Sequence, residues 1–288
     1  MGSTITRQSN AETSRGPAAG RPKTPAVTIS AVIPALNEAA NLPHVLARMP
    51  AMVDEIILVD GNSVDDTIAV ARAIRPDIRV VLQAGKGKGN ALAAGFAAAH
   101  GDIIVMLDAD GSTDPLEIPR FVEALLDGHD FAKGSRFLPG AGSDDITRIR
   151  AAGNRVLVAI VNTFYRTRYT DLCYGYNAFW RWCLTDMQVD CDGFEVETLI
   201  NTRLARAGLS VAEVPSVEHA RLHGVSNLNA IQDGWRVLRT IVAERVRRAG
   251  SSLEDPNGWH PQFCELRPLT RREITASRHT AAPAAQSL

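Results

Sequence analysis

Two aspartates, Asp108 and Asp110, stand at the end of an unbroken apolar run, Ile103 to Leu107. Gly101-Asp102 precedes the run and the turn-forming Gly111-Ser112-Thr113-Asp114-Pro115 follows it, so it reads as a strand buried on both faces. Side chains two apart on an extended chain point the same way. The pair therefore presents two hard oxygen donors at a strand's C-terminal end, where a doubly wound sheet receives its ligands. Such a pair suits Mg2+ or Mn2+, which takes one or two protein carboxylates and completes its shell with substrate phosphate and water. The competing reading is that both aspartates cap the helix that follows.

Other polar groups gather at matching places. Gly85-Lys86-Gly87-Lys88-Gly89-Asn90 is neither a dinucleotide fingerprint nor a P-loop, since it does not follow the first strand and no Ser or Thr follows its Gly-Lys. It offers flexible amides, two ammonium groups and a helix N-terminus, a set suited to a diphosphate or a sugar beside it; a solvated basic turn is the alternative. Glu195 and Glu197 lie near the start of a helix running to Ala207, where carboxylates also complement the helix dipole. His219 and His223 have i, i+4 spacing, but with no partnering acid and Gly224 next in the chain they do not read as a metal pair.

The elements that must carry these groups alternate in type. Val27 to Ile33, Glu55 to Val59, Arg79 to Leu82 and Ile103 to Leu107 read as strands. Helices are expected from Leu42 to Met49, through about Arg75, from Ala91 to Ala99 and from Ile118 to Leu126. A strand begins at Asp130, and Phe137 to Thr147 is a loop long enough for an active-site flap. A helix from Arg150 to Arg166, an aromatic segment Asp171 to Phe179 and a last strand within Leu209 to Val217 follow. Alternating strands and helices predict an α/β domain with a mostly parallel central sheet and helices on both faces.

Residues 1–26 and the extension 251–288, poor in large apolar groups, are expected to be largely disordered, leaving 27–250 as one domain. With 31 basic and 32 acidic residues, nothing global draws the chain to nucleic acid. The cysteines, Cys173, Cys183, Cys191 and Cys264, show no C-x-x-C spacing and read as free thiols of a cytoplasmic protein, Cys173 as a packed small hydrophobe. Apolar runs are too short to span a bilayer. The helix 229–248 carries Ile231, Trp235, Leu238, Ile241 or Val242, and Val246 on one stripe, with arginines elsewhere. That stripe either packs on its own domain or makes peripheral contact with the inner face of an anionic membrane.

Assembled in this order, the motifs resemble those of the family 2 glycosyltransferases of the GT-A fold, and among them the dolichyl- or polyprenyl-phosphate mannosyl- and glucosyltransferases, over about residues 27 to 245. The resemblance implies that Pro34, Asn37, Glu38 and Asp60 hold the nucleoside of a UDP- or GDP-linked sugar, with Lys88 and Gly89 beside it. Asp108-Ala109-Asp110 then matches the Asp-x-Asp that carries the divalent ion on the diphosphate. Ser135 and Arg136, with Arg148 or Arg150, match the side that faces an acceptor phosphate. Asp171 to Tyr176 matches an Asp-x-x-x-Gly-Phe segment, Glu197 a helix carboxylate near the acceptor, and Arg221 and Ser226 the closing Arg-x-x-Gly-x-Ser.

Three positions depart from the lipid-phosphate enzymes: Ser112 stands for a glutamine, Asn177 for an arginine and Asn227 for a lysine. The implied activity is inverting, metal-dependent transfer of a hexose to a polyprenyl phosphate. Transfer to a hydroxyl is the alternative, with Glu195 and Glu197 as first candidates for the base it needs and Asp171 behind them. A sugar-nucleotide-binding protein without catalysis is a lesser one.

Overall fold

The computed structural model describes residues 27–224 and 230–247. The expected tails, and Ser226 and Asn227, lie outside the described residues. Seven strands form the central sheet: β1 (Ile29–Ala35), β2 (Glu55–Asp60), β3 (Arg79–Leu82), β4 (Ile103–Met106), β5 (Phe131–Ser135), β7 (Asn177–Trp180) and β8 (Val211–Pro215). Their order is β3-β2-β1-β4-β7-β5-β8, with β7 alone antiparallel to its neighbours. β4, β5 and β7 are buried throughout, as expected of strands covered on both faces. β1 runs two residues further than its apolar run suggests, because Pro34 and Ala35 stay in register with Val59 and Asp60.

The chain order reverses between β1 and β4, which lie side by side in parallel. Such a switch point opens a crevice at the carboxyl ends of the strands, because the two connecting segments leave in opposite directions. The helices α1 (Leu42–Leu46), α2 (Thr67–Ile74), α3 (Gly87–Ala98) and α4 (Ile118–Leu126) occupy the connections. α3 packs on β1 and β2 so closely that a Cβ on Gly95 would come within 2.4 Å of the Val32 side chain.

The predicted flap is tethered. Its residues Gly142–Ser143 (β6) pair in parallel with Val217–Glu218 (β9), joining the segment after β5 to the segment after β8. The helix α5 (Arg148–Tyr165) follows, two residues earlier than its apolar pattern suggests, because the Thr147 hydroxyl accepts from the Arg150 amide at 3.2 Å as an N-cap. A short helix, α6 (Leu184–Met187), has no counterpart in the periodicity; α7 (Val196–Ala207) does.

The last helix, α8 (Ala230–Val246), meets the domain through a face that only partly overlaps the expected stripe. It packs through Val237 and Ile241 against Val158, Val161 and Leu172, with Asp233 and Glu244 buried on the same side. Of the expected stripe, Trp235, Val242 and Val246 are left exposed, and the side chain of Ile231 lies outside the described residues. An ion network accompanies this orientation. Glu244 accepts from Arg203 and Arg206 at 2.8 Å each and from Arg247 at 3.0 Å, and Arg203 also holds Asp190 at 2.7 Å.

Glu244→Gln is expected to cost about 2 kcal/mol, because it leaves Arg203 short of a buried counter-charge, and to raise amide exchange in α8 first. Unchanged protection there would overturn that assignment. Burial alone would raise the Glu244 carboxyl, but Arg203 and Arg247 outweigh it and hold it below its usual range. This contribution is therefore present above about pH 4 and is lost as pH falls through the depressed value.

Candidate active site

The carboxyl ends of β1, β2, β3 and β4 surround a cavity of about 1000 Å3. Its centre is an ion triad. The Lys88 ammonium lies 2.6 Å from Asp108 Oδ1 and 2.9 Å from Glu197 Oε1, with only 13% of its side chain exposed. Burial alone would lower the Lys88 pKa; the charges of Asp108 and Glu197 more than reverse it, so the group stays cationic across the physiological range.

Lys88 stands on the first turn of α3, which begins at Gly87 rather than at Ala91. The glycines around it have a packing role that the sequence did not show. A Cβ on Gly87 would meet the Asp192 carbonyl at 2.1 Å, and one on Gly89 the Cys191 carbonyl at 2.2 Å. The Gly89 amide, expected to be open to a phosphate, donates to the Asp192 carbonyl at 2.9 Å. The Gly-Lys-Gly segment thus locks α3 to the chain before α7 and leaves its lysine as the group that enters the site.

Gly175, known from sequence only as the glycine of the Asp-x-x-x-Gly-Phe match, faces the triad directly. A Cβ there would come within 2.6 Å of the Lys88 ammonium and 2.8 Å of Asp108 Oδ2. The antiparallel β7, which starts two residues later, brings it to this edge. Cys173 lines the cavity with its thiol pushed up to about 12 by burial, so it is no thiolate nucleophile.

Asp110 points to a second cluster. Its Oδ1 accepts from the Ser112 amide at 3.0 Å and its Oδ2 from Arg221 at 3.2 Å. Arg221 also donates to Glu38, and Glu38 accepts from Asn41 at 2.5 Å. Burial raises the Glu38 carboxyl above its ordinary value despite these two donors. One guanidinium therefore ties the turn after β1, the turn after β4 and the segment after β9.

Asp108 and Asp110 fit a hard divalent cation by donor type, and both line the cavity. Among the described residues no group of three or more His, Cys, Asp or Glu side chains is arranged to hold a metal. A cation here would need its remaining ligands from a bound diphosphate and water.

The structure brings Pro34, Glu38, Lys88, Asp108, Ala109, Asp110, Arg136, Arg150, Glu197 and Arg221 to one cavity. Others act from behind it. Asn37 has a left-handed φ of 58°, and its Oδ1 accepts from the Val64 amide at 2.8 Å, stapling the loops after β1 and β2. Asp60 Oδ2 accepts from the Ser63 amide at 3.0 Å, while its buried Oδ1 has no protein partner. Glu195 precedes α7 outside the lining, with Oε1 accepting from the Gly193 amide at 3.3 Å and Oε2 buried without a protein partner.

The expected acceptor residues separate most. The Ser135 hydroxyl is buried against that of Thr170 at 2.6 Å, and Arg148 is exposed outside the lining. Arg150 lines the wall and pairs with Asp145 at 2.9 Å. Arg136 is not a free phosphate fork: its Nε and Nη2 donate to Asp171 at 2.7 and 2.9 Å, and its Nη1 to Glu218 at 3.1 Å. Asp171 is fully buried beneath it and out of reach of any ligand. Only tertiary burial could reveal that this cation already has its counter-charges.

Comparison with known proteins gives concordant results. The family model described as Glycosyl transferase family 2 matches residues 30–183. An uncharacterized glycosyltransferase of Mycobacterium tuberculosis is 34% identical over 220 residues, covering 73% of this chain and 97% of that protein. A dolichyl-phosphate hexose transferase of Haloferax volcanii is 29% identical over 228 residues, covering 76% of this chain and 96% of that protein. Among solved structures, glucosyl-3-phosphoglycerate synthase from Mycobacterium tuberculosis, in complex with Mn2+, UDP and glucosyl-3-phosphoglycerate, aligns with a TM-score of 0.62 at 27% identity, covering 81% of this chain and 88% of that one.

Proposed function

Because the chain belongs to glycosyl transferase family 2, we propose that it transfers a hexose from a UDP- or GDP-linked donor to a polyprenyl phosphate, inverting the anomeric carbon. The observation that carries this reading is the Lys88 bridge between Asp108 and Glu197 at the sheet's switch point. A divalent ion, Mg2+ or Mn2+, held by Asp108 and Asp110 would neutralise charge on the leaving diphosphate. Lys88 adds a permanent positive charge beside Asp108, and Gly175 leaves the room that a sugar needs over the pair. The turns after β1 and β2 hold the nucleoside, Glu38 and Gly61 lining the wall while Asn37 and Asp60 fix the loops.

The surroundings of Glu197 support this acceptor. Its carboxylate is buried and already ion-paired with Lys88 at 2.9 Å, whereas a phosphate oxygen, already anionic near neutral pH, needs no base. Arg150 and Arg236 lie along the same wall and, although paired through one nitrogen each with Asp145 at 2.9 Å and Asp233 at 3.4 Å, are less buried than Arg136 and keep donors for that charge. Arg136 then acts as a positioning residue, aligning the wall from its place between Asp171 and Glu218. The dolichyl-phosphate hexose transferase named above supports this acceptor class. A hydroxyl acceptor is the second reading, supported by the unpartnered Oε2 of Glu195 and by the glucosyl-3-phosphoglycerate in the synthase complex.

The test is turnover of UDP-glucose, GDP-mannose and UDP-N-acetylglucosamine with Mg2+ or Mn2+, with and without a polyprenyl phosphate. Nucleoside diphosphate release that depends on the lipid, with label extracted into organic solvent, is the expected result. Release indifferent to the lipid would overturn the acceptor and make Glu195 the base to mutate. Gly175→Ala is expected to lower transfer about a hundredfold by displacing Lys88 from Asp108. Its folding stability should fall only as far as a local clash requires, by about 1 to 3 kcal/mol. Unchanged kcat in that variant would remove Gly175 from the reacting centre.

A further inference from the structure

We propose that the outward faces of α5 and α8 together form a docking surface for an anionic lipid bilayer. α8 exposes Trp235 at 64%, Val242 and Val246 at 74%, spaced seven and four residues apart and so on one side of the helix, away from Val237 and Ile241. α5 packs beside it, with the Tyr165 hydroxyl donating to the Ile241 carbonyl at 2.8 Å. It shows a second exposed row, Ile149 at 80%, Val156 and Phe164, again on one side. Two neighbouring helices that each turn an apolar row to the outside are not explained by the packing of the domain.

Charge selects the occupant. α5 contains no acidic residue, and both acids of α8, Asp233 and Glu244, are buried toward the domain. Arg148, Arg155, Arg239 and Arg245 are exposed on the same two helices. In a chain of net charge −1 this is a local cationic surface around apolar side chains, the combination that partitions into an anionic interface with an interfacial tryptophan. A second copy of the chain would set like charges against each other across a two-fold contact.

The surface also adjoins the cavity. Ile149, Gly153 and Leu157 of α5 and Arg236 and Val237 of α8 are among its lining residues, so Ile149 belongs both to the exposed row and to the wall. An amphiphile resting in the bilayer could enter along this wall with its head toward Arg150 and Arg236. The inference deepens the acceptor reading and rests on it for what is delivered; the surface itself rests on exposure and charge.

Flotation of the full chain with vesicles of phosphatidylcholine, alone or with about a third phosphatidylglycerol, tests it. Binding to the anionic vesicles only, weakened by salt, is expected, with Val242→Glu/Val246→Glu reducing it at least about tenfold at unchanged melting temperature. Should the double variant fold poorly, Val246→Glu alone, at the most exposed position on α8, serves the same purpose. No flotation with anionic vesicles, or flotation unaffected by these substitutions, overturns the proposal. So does a dimer in sedimentation that the same substitutions dissolve. Vesicle binding without glycosylated lipid would leave the surface standing and sink the acceptor reading, whereas lipid glycosylation in detergent without vesicle binding would do the reverse.

Discussion

Asp108→Asn is expected to lower hexosyl transfer by about a thousandfold, equivalent to about 4 kcal/mol of transition-state stabilisation. The substitution keeps the shape of the side chain and removes the charge that both Lys88 and a divalent ion would use. Folding should survive it. Asp108 is partly exposed, and Lys88 retains Glu197 at 2.9 Å, so no buried charge is orphaned. A melting temperature within a few degrees of the parent is expected from a change of 1 kcal/mol or less. Steady-state release of nucleoside diphosphate and a thermal melt on the same sample check both halves. Transfer that persists within tenfold of the parent would remove the Asp-x-Asp pair from the chemistry.

Arg136→Met is expected to act in the opposite way, costing about 3 to 5 kcal/mol of stability because Asp171 is left ionised and buried without its partner. Arg136 is bonded to Asp171 through two side-chain nitrogens and its own amide, and its guanidinium lies 5.0 Å from the centre of the Tyr174 ring. The double variant Arg136→Met/Asp171→Asn should recover much of that loss, since the stranded charge has gone. A residue whose only task is to bind an acceptor would instead raise KM and leave the melt unchanged. If the single variant melts like the parent, the buried pair is not what holds the wall.

The same pair predicts an acid transition. Burial by itself would raise the Asp171 carboxyl, but the hydrogen bonds and charge of Arg136, together with the charge of Lys133, outweigh it and hold it below the ordinary carboxylate range. A depressed carboxylate contributes stability above the unfolded value of about 3.9, and that contribution is lost as pH falls through the folded one. Stability should therefore fall steeply below about pH 4 in the parent and more shallowly in Arg136→Met/Asp171→Asn. Denaturant midpoints across that range measure the difference.

Those features that depend on neighbours in the chain were legible before any coordinates. The apolar run ending at Leu107, with Asp108 and Asp110 behind it, determines a buried strand with two carboxylates at its carboxyl end. The alternation of strands and helices determines a mostly parallel sheet, and the order of the motifs determines the glycosyltransferase family. Each is a statement about periodicity, turn residues or short spacing, and physics at that range leaves few options. The glycines at the start of α3 suggest a loop by local rules; their small size instead meets the need of a distant segment, Cys191 and Asp192, for close approach.

What tertiary structure alone decided is which charges are already satisfied and which faces are covered. From sequence, Lys88, Arg136, Asp171 and Glu197 are all candidates for contact with ligands. Folding buries Arg136 on Asp171 as part of the wall, sets Lys88 between Asp108 and Glu197, and brings Gly175 over them just ahead of a strand that runs against the rest of the sheet. It likewise places α8 so that Glu244 meets Arg203 and Ile241 is buried, leaving Trp235, Val242 and Val246 of the expected stripe outside. The partners in each case lie tens of residues away, and the free energy of a charge or an apolar side chain depends on what surrounds it in space, which no local pattern in the chain encodes.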